Sequence, residues 1–219
     1  MSRRGIVHVG WWVVAATVLA CVGMASWYAP VDPGMGIPQK LVYLHVPAAA
    51  AAVVSALATF IAAVAFLWSR SRWLDRLSTA AARFTVLCSV IVLISGMVLG
   101  KFFWGYWWTW SPRLTFTLVL CILYAVLVLM RPFLRPWSKR ATVCAVFAAV
   151  AFLDVPLIYL SVRLLPDVHP TSVPLTPEMR LTLAAWFALF ALTGIMLTLV
   201  PALPSFRWSG RHSGSVRRI

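Results

Sequence analysis

The sequence predicts an all-α fold: a polytopic membrane protein with six transmembrane helices and a tryptophan-rich segment on its outer face. Of its 219 residues, 62% are hydrophobic and only 11% are charged, and the mean hydropathy is +0.90. A soluble domain of this length would need far more polar surface. Because no stretch between the apolar runs is long enough for a soluble domain, we expect residues 1–219 to form a single membrane domain.

Six windows nearly free of charge are long enough to supply the roughly 17–25 residues that a helix needs to cross a bilayer. Backbone groups at membrane depth must pair internally, which favours helices. The first window follows a basic start but lacks a convincing small-residue cleavage site, so we expect a retained helix rather than a signal peptide. The windows run from Val9 to Tyr28, Leu41 to Ser69, Phe84 to Gly100, Leu114 to Met130, Ala141 to Val162 and Leu181 to Phe206.

The lysines and arginines behind the formal net charge of +14 are distributed unevenly between the two sides of the membrane, and this asymmetry predicts the topology. Six helices place both termini on one side of the membrane, and 14 of the 19 lysines and arginines fall on that side. An excess of positive charge marks the cytoplasmic face, so both termini are predicted to be cytoplasmic. We expect the excess of basic residues to attract anionic lipids of the bilayer. It is therefore not evidence for a nucleic acid partner, and we expect none.

A cluster of aromatic residues lies between the third and fourth windows. Residues 104–110, here called the tryptophan segment, hold Trp104, Trp107, Trp108 and Trp110, and Arg113 follows. An aromatic belt explains one or two rings at a helix end. Four indoles beside an arginine instead suit a large, planar, apolar ligand with negative charge at its edge. Helical spacing would place Trp104, Trp107 and Trp108 on one face; an interfacial helix anchored by its rings is the alternative.

Two of the four histidines fall on the same face as the tryptophan segment. His45 precedes Pro47, which suits the first turn of a helix, so His45 is expected at the outer entry of the second helix. His169 lies in the loop before the last helix. Two neutral imidazoles across an aromatic pocket can occupy both axial positions of a heme iron. Taken separately, each histidine would more often be a hydrogen-bonded interface residue or a solvated loop residue.

Other polar residues near the outer face have less specific interpretations. The Arg113 guanidinium matches a propionate carboxylate in a two-pronged geometry, whereas Lys101 and Arg180 are nearly as well explained by pairing with lipid headgroups. Asp154 is the only carboxylate within the windows, and it has either a structural hydrogen-bonding role or a place near a ligand cavity. The cysteines are interpreted as small core residues: Cys21, Cys88, Cys121 and Cys144.

In three separated places the chain resembles the CcmC family, the heme exporter protein C of c-type cytochrome maturation. Leu44-His45-Val46-Pro47 resembles the family's first histidine site. The stretch from Gly100-Lys101 through the tryptophan segment to Arg113-Leu114-Thr115 resembles its tryptophan-rich signature. Pro156-Leu157-Ile158, Ser161-Val162 and His169 resemble its fifth helix and second histidine site.

The resemblance implies a protein of the bacterial inner membrane that delivers heme and is not an enzyme. His45 and His169 would be the axial ligands of a non-covalently bound heme b, and the four indoles of the tryptophan segment would hold the porphyrin. The heme would then be presented to a membrane-anchored periplasmic heme chaperone of the CcmE type. Subunits of an ABC-type exporter would be further partners.

The chain departs from the family's pattern at Ser111. The signature has Trp-Asp where this chain has Trp110-Ser111, so the negative charge of the aspartate is missing. Ser and Asp both cap helices well, and Pro112 suits the first helical position. We therefore expect Ser111 to cap the fourth helix while lacking any charge-dependent role in heme transfer.

Two other functions remain open on the sequence alone. A b-type heme protein resembling a quinol oxidoreductase would usually have paired histidines within the spans, but both suitable histidines here are at one face. A transporter subunit without heme would need polar residues along a route through the bundle, and only Asp154 offers one. Hydrolytic or phosphoryl-transfer chemistry has no motif to support it, since there is no Gly-rich phosphate loop and no paired catalytic carboxylates.

Overall fold

The computed structural model describes residues 3–164 and 175–202, and these residues form helices joined by short connections. A single π-helical turn, Met24–Tyr28, extends the first helix, and a 3₁₀ turn, Ile37–Leu41, leads directly into the second. Another 3₁₀ turn, Arg131–Phe133, follows the fourth. The helices are α1 (Arg3–Gly23), α2 (Val42–Ser69), α3 (Arg72–Trp104), α4 (Pro112–Leu129), α5 (Trp137–Ala151), α6 (Asp154–Leu164) and α7 (Pro177–Ala202).

Six segments of the described chain are long and apolar enough to cross a membrane, which confirms the predicted all-α, six-span fold class. α5 and α6 together make the fifth span. The last predicted window continues past Ala202, and that part lies outside the described residues. The spans are Val7–Tyr28, Ile37–Ser69, Arg72–Trp104, Pro112–Phe133, Trp137–Ser161 and Pro177–Ala202.

The third helix is much longer than its predicted window of residues 84–100. α3 has 33 residues, so it extends for about 50 Å at 1.5 Å per residue. The prediction was too short because Arg72, Arg76 and Arg83 interrupt the apolar run without interrupting the helix. The hydrocarbon core of a bilayer is only about 30 Å thick, so α3 is long enough to extend beyond it.

The fifth span is not one continuous helix as the sequence suggested. Phe152 and Leu153 form a turn between α5 and α6. Pro156 accounts for the break, because it has no N–H to donate to the Phe152 carbonyl and its ring crowds that carbonyl in a regular helix. The Val155 N–H donates to Phe152 O at 3.0 Å instead. Asp154 therefore occupies the first turn of a new helix at membrane depth.

Many of the buried residues between the helices are small, and many large apolar residues lie on the outside of the bundle. Ala48 and Ala52 of α2 pack with Phe84 and Cys88 of α3, and the Thr85 hydroxyl of α3 donates to Ser55 Oγ of α2 at 2.9 Å. Small residues let membrane helices approach closely, and hydroxyl hydrogen bonds add to their association. On the outside, large side chains such as Trp68, Phe133 and Trp12 are exposed, as expected of a surface covered by lipid.

The bundle has two chemically different ends. One end, here called the histidine end, contains His45, the end of α3, the tryptophan segment and the start of α4. The opposite end, here called the arginine end, contains the start of α3 and the connection from α4 to α5. There Asp75 forms an ion pair with Arg131 and accepts a hydrogen bond from Trp137 Nε1 at 3.0 Å. Ser95 lies 20 residues after Asp75, so the two ends are separated by about 30 Å along α3.

The cysteines match their predicted structural role. Cys21, Cys88 and Cys144 are buried, Cys121 is partly buried, and all four are free thiols. Cys88 belongs to the packed cluster between α2, α3 and α7, and Cys144 belongs to the cluster around α4 and α5. These thiols fill space between helices.

Candidate functional site

The loop before α2 fixes the entry of that helix at the histidine end. The Asp32 carboxylate accepts hydrogen bonds from the backbone N–H groups of Gly34 and Met35, which closes a tight turn. The buried side chain of Gln39 accepts from the Asp32 N–H at 2.9 Å and donates to the Tyr43 hydroxyl at 3.3 Å. Lys40 Nζ donates to the Ser26 carbonyl at 2.6 Å. The loop is thereby tied to the end of the first span and to the first turn of α2.

His45 lies in the first turn of α2, as predicted, but its ring is directed into the bundle. Only 7% of the residue is exposed. Its Nδ1 lies 2.8 Å from the hydroxyl oxygen of Ser95 in α3. Val46 is helical in spite of the following Pro47, which is fully buried in the same helix. The predicted position of His45 near the helix entry is therefore confirmed.

The hydrogen bonds of Ser95 define the tautomer of His45. The Ser95 hydroxyl donates to the Ile91 carbonyl at 2.6 Å, and a hydroxyl has a single proton to donate. The Nδ1 of His45 must then carry a proton and donate to Ser95 Oγ. In a neutral imidazole this leaves the lone pair on Nε2, which is the arrangement that a metal-binding histidine needs.

Gly96, the next residue in α3, makes room for the imidazole. A Cβ atom at this position would lie 3.2 Å from His45 Cε1 and 3.8 Å from Leu114 Cδ1 of α4. The first distance is shorter than almost all real Cβ contacts. Gly96 therefore lets α2 and α4 bring His45 and Leu114 together against α3.

Gly100 lies one helical turn after Gly96 on the same face of α3. A Cβ atom at Gly100 would lie 3.2 Å from the Tyr106 carbonyl oxygen, so the tryptophan segment passes directly over this face. The chain turns there because Gly105 has φ +81°, a left-handed conformation that ends α3 and that side chains disfavour. Lys101 Nζ donates to the Gly105 carbonyl at 3.0 Å. Lys101 thus has a structural role at the helix end.

The tryptophan segment is not a helix. Trp104 is the last residue of α3 and residues 105–111 are irregular, so the predicted helical face of indoles does not form. The rings of Trp108 and Trp110 meet edge to face, with centroids 5.6 Å apart and planes at 79°, so the indoles are not one flat wall. Trp107 and Trp110 are 59% and 77% exposed, whereas the Trp108 Nε1 atom is buried without an acceptor among the described residues.

Ser111 and Pro112 begin α4 as the sequence predicted, with Pro112 at the first helical position. The capping itself differs from the prediction, because the Ser111 side chain makes no capping hydrogen bond. Its carbonyl instead accepts from the N–H and the hydroxyl of Thr115, at 3.0 and 2.9 Å. Arg113 is half-buried in the first turn of α4, between the tryptophan segment and Leu114.

Asp154 is buried in the fifth span. Only 5% of the residue is exposed, and one carboxylate oxygen, Oδ2, has no hydrogen-bond partner in the described parts of the chain. Its position in the first turn of α6 is electrostatically favourable, since the N-terminal end of a helix stabilises negative charge. The structural role of Asp154 and its place near a ligand cavity both stay predictions.

Of the predicted site residues, the structure brings His45, the tryptophan segment and the first turn of α4 together on one face of α3. His169 lies outside the described residues. The sequence argument missed Ser95 and Gly96, and it named Gly100 only as part of the tryptophan-rich signature. One signal could have revealed them: Ser95-Gly96 and Gly100 are small residues one helical turn apart in a run that otherwise consists mainly of large apolar residues.

The fold and the site define a class: a polytopic membrane protein whose buried histidine and partly exposed tryptophan segment meet at one end of the bundle. The comparison with known families then gives a particular one. The model of the heme exporter protein C family, CcmC, matches residues 3–209. The chain belongs to this family, whose members are heme-handling membrane proteins of cytochrome c biogenesis.

Individual relatives agree with this assignment. The chain is 28% identical over 197 residues to the heme exporter protein C of Escherichia coli K12, covering 87% of this chain and 80% of that protein. It is 37% identical over 116 residues to the heme exporter protein C of Rhodobacter capsulatus, covering 52% and 48%. A putative cytochrome c biosynthesis ccmC-like mitochondrial protein of Marchantia polymorpha is 29% identical over 164 residues, covering 74% and 68%.

We expect Gly105→Ala to destabilise the protein by about 1–2 kcal/mol, because alanine disfavours the left-handed conformation. Nothing lies within 4 Å of the added Cβ, so the loss would come from the backbone alone. Gly105→Asn should cost less, since asparagine tolerates this conformation. Thermal unfolding in detergent would measure both variants. An equal loss for alanine and asparagine would contradict the backbone explanation.

Proposed function

We propose that this protein binds heme at its histidine end and presents it to a heme chaperone during c-type cytochrome maturation. Family membership supports the heme-handling role, and the arrangement of the histidine end supports the location. The observation that carries the proposal is the face of α3 formed by Ser95, Gly96 and Gly100. This face contacts His45 at one turn and the tryptophan segment at the next.

His45 has the chemistry of an axial ligand in this proposal. The hydrogen bond to Ser95 leaves the lone pair on Nε2, and heme iron is commonly held by neutral imidazole. Metal-binding histidines usually donate their second N–H to a fixed acceptor, and a buried serine hydroxyl serves this purpose here. His169 would be the second ligand of a heme b bound without covalent bonds. Its assignment rests on the resemblance of the segment around it to the family's second histidine site.

The tryptophan segment supplies the apolar contacts in this proposal. The exposed rings of Trp107 and Trp110, with Trp104 and Trp108 beside them, would cover the porphyrin, and mutually perpendicular indoles can contact both a face and an edge of it. The buried Trp108 N–H has no acceptor among residues 3–164 and 175–202, so a propionate is a chemically suitable partner for it. Arg113 would pair with a propionate through its planar guanidinium.

Orientation and partners follow from the same proposal. The histidine end would face the periplasm of a bacterium and both termini would face the cytoplasm, in agreement with the excess of arginine at the other end. Heme would pass to a membrane-anchored chaperone of the CcmE type, with ABC-type exporter subunits as partners. All these steps are binding and transfer events, so we do not propose an enzymatic activity.

We expect the double variant His45→Ala, His169→Ala to lose most of the Soret absorbance of the purified protein, because both axial ligands would be absent. The starting protein should show the spectrum of a low-spin heme with two histidine ligands. His8→Ala is the matched control, since His8 is exposed at the other end of the bundle. Unchanged heme content in the double variant would refute the ligand assignment.

We expect Ser95→Ala to weaken heme binding about tenfold or more, the usual effect of removing a hydrogen-bond partner of a metal-binding histidine. The heme spectrum should also broaden, because the imidazole would no longer be held in one tautomer. Ser89→Ala is the control: Ser89 is buried in the same helix, but it donates to the Thr85 carbonyl. A titration with heme would compare the two variants, and equal affinities would argue against a positioning role for Ser95.

We expect Arg113→Ala to lower heme retention on a size-exclusion column, since one charged partner of the propionates would be lost. Arg70→Ala provides a comparison at the arginine end, where Arg70 donates to the Thr142 hydroxyl at 2.6 Å and lies over the Phe66 ring. If both variants retain equal amounts of heme, Arg113 has no specific role in binding propionate.

A further inference from the structure

A cavity lies at the arginine end, about 30 Å along α3 from His45. It has a volume of about 370 Å³, within the range of ligand pockets, and lies between the start of α3, the end of α4, the start of α5 and the end of α7. Four arginines line it: Arg76, Arg83, Arg131 and Arg140. Neither family membership nor the proposed heme site gives this cavity a role.

The cavity carries a strong positive charge that its lining residues do not neutralise. Asp75 is the only carboxylate among the lining residues. It is already occupied by the ion pair with Arg131 and by the hydrogen bond from Trp137 Nε1. Four guanidinium groups against one carboxylate leave a formal charge of +3. Arg76 and Arg83 are exposed at the rim, and Arg131 and Arg140 are half-buried.

Arg140 points to a missing partner. Its Nε atom is buried and has no acceptor within the described chain. A buried donor on a charged group is costly to leave without an acceptor, and a guanidinium pairs best with a planar carboxylate or a phosphate through two parallel hydrogen bonds. An oxyanion is therefore a suitable partner for the Arg140 guanidinium, since Arg140 lines the cavity.

The location decides which oxyanion is most suitable. Val128, Pro132 and Pro201 contribute apolar surface beside the arginines, at the membrane-proximal ends of α4 and α7. A ligand there needs both an anionic group and an apolar part. Basic pockets between transmembrane helices on the cytoplasmic side bind anionic lipid headgroups for the same reason. The geometry points to a binding site for the phosphodiester headgroup of an anionic phospholipid, with Arg140 as one of its contacts.

The test uses the full-length protein purified in detergent, titrated with phosphatidylglycerol and monitored by native mass spectrometry. We expect one phosphatidylglycerol to bind more tightly than phosphatidylcholine, which carries no net charge. Arg140→Gln should weaken that binding about tenfold, the effect of losing a charge-assisted hydrogen bond. Arg76→Gln should weaken the binding as well. Because Arg76 is exposed, this substitution should not disturb folding, whereas a substitution at the half-buried Arg140 could.

Arg135→Gln is the matched control, because Arg135 is exposed at the same end and does not line the cavity. It removes the same charge and should change the affinity little. Equal losses in the Arg135 and Arg140 variants, or equal binding of the two lipids, would overturn the proposal. Displacement of the lipid by inorganic phosphate at similar concentration would also overturn it in favour of a free-phosphate site. The readout involves no heme, so its failure leaves the proposed function untouched.

Discussion

The structure depends on one constraint: at membrane depth a backbone N–H or C=O must find its partner within the protein. This requirement explains the helical spans, and it also explains why their buried sides contain alanine, serine and threonine. Small residues allow α2 and α3 to pack closely, and hydroxyls such as those of Ser55 and Ser95 donate to carbonyls of their own helix. The hydroxyl oxygen can then accept from a neighbouring helix. The candidate site depends on such an acceptor: Ser95 Oγ accepts a hydrogen bond from His45 Nδ1 and donates its own proton to the Ile91 carbonyl.

The number of spans and their approximate positions could be predicted from the sequence because apolar windows report directly on bilayer crossing. Their ends could not be predicted equally well. The charged residues before Phe84 made the third window start there, although the helix begins at Arg72. Such residues lie outside the bilayer but still within the helix. Charge in the sequence therefore marks the membrane boundary and not the helix boundary. The break at Phe152 was missed for the opposite reason, since apolar composition continues through a turn that Pro156 imposes.

The candidate site was predictable in composition but not in arrangement. Histidine, tryptophan and arginine stand out against an apolar background, so His45 and the tryptophan segment could be found. Their contacts depend on Ser95 and on Gly96. Serine and glycine are common in membrane helices, so neither residue by itself indicates a functional site. The irregular course of residues 105–111 was also missed. Tryptophan spacing alone suggested a helical face, but Gly105 in a left-handed conformation ends the helix before such a face can form.

The unusual length of α3 has a mechanical consequence. This helix has no internal proline, and it runs without interruption from the arginines of one cavity to the glycines beneath the tryptophan segment. A rigid rod that tilts about its middle must move its two ends in opposite directions. A displacement of Asp75 and Arg76 at one membrane surface is therefore geometrically linked to a displacement of Ser95 and Gly96 near the other. In this fold, the arginine-lined cavity at one end and the imidazole of His45 near the other share a single structural element.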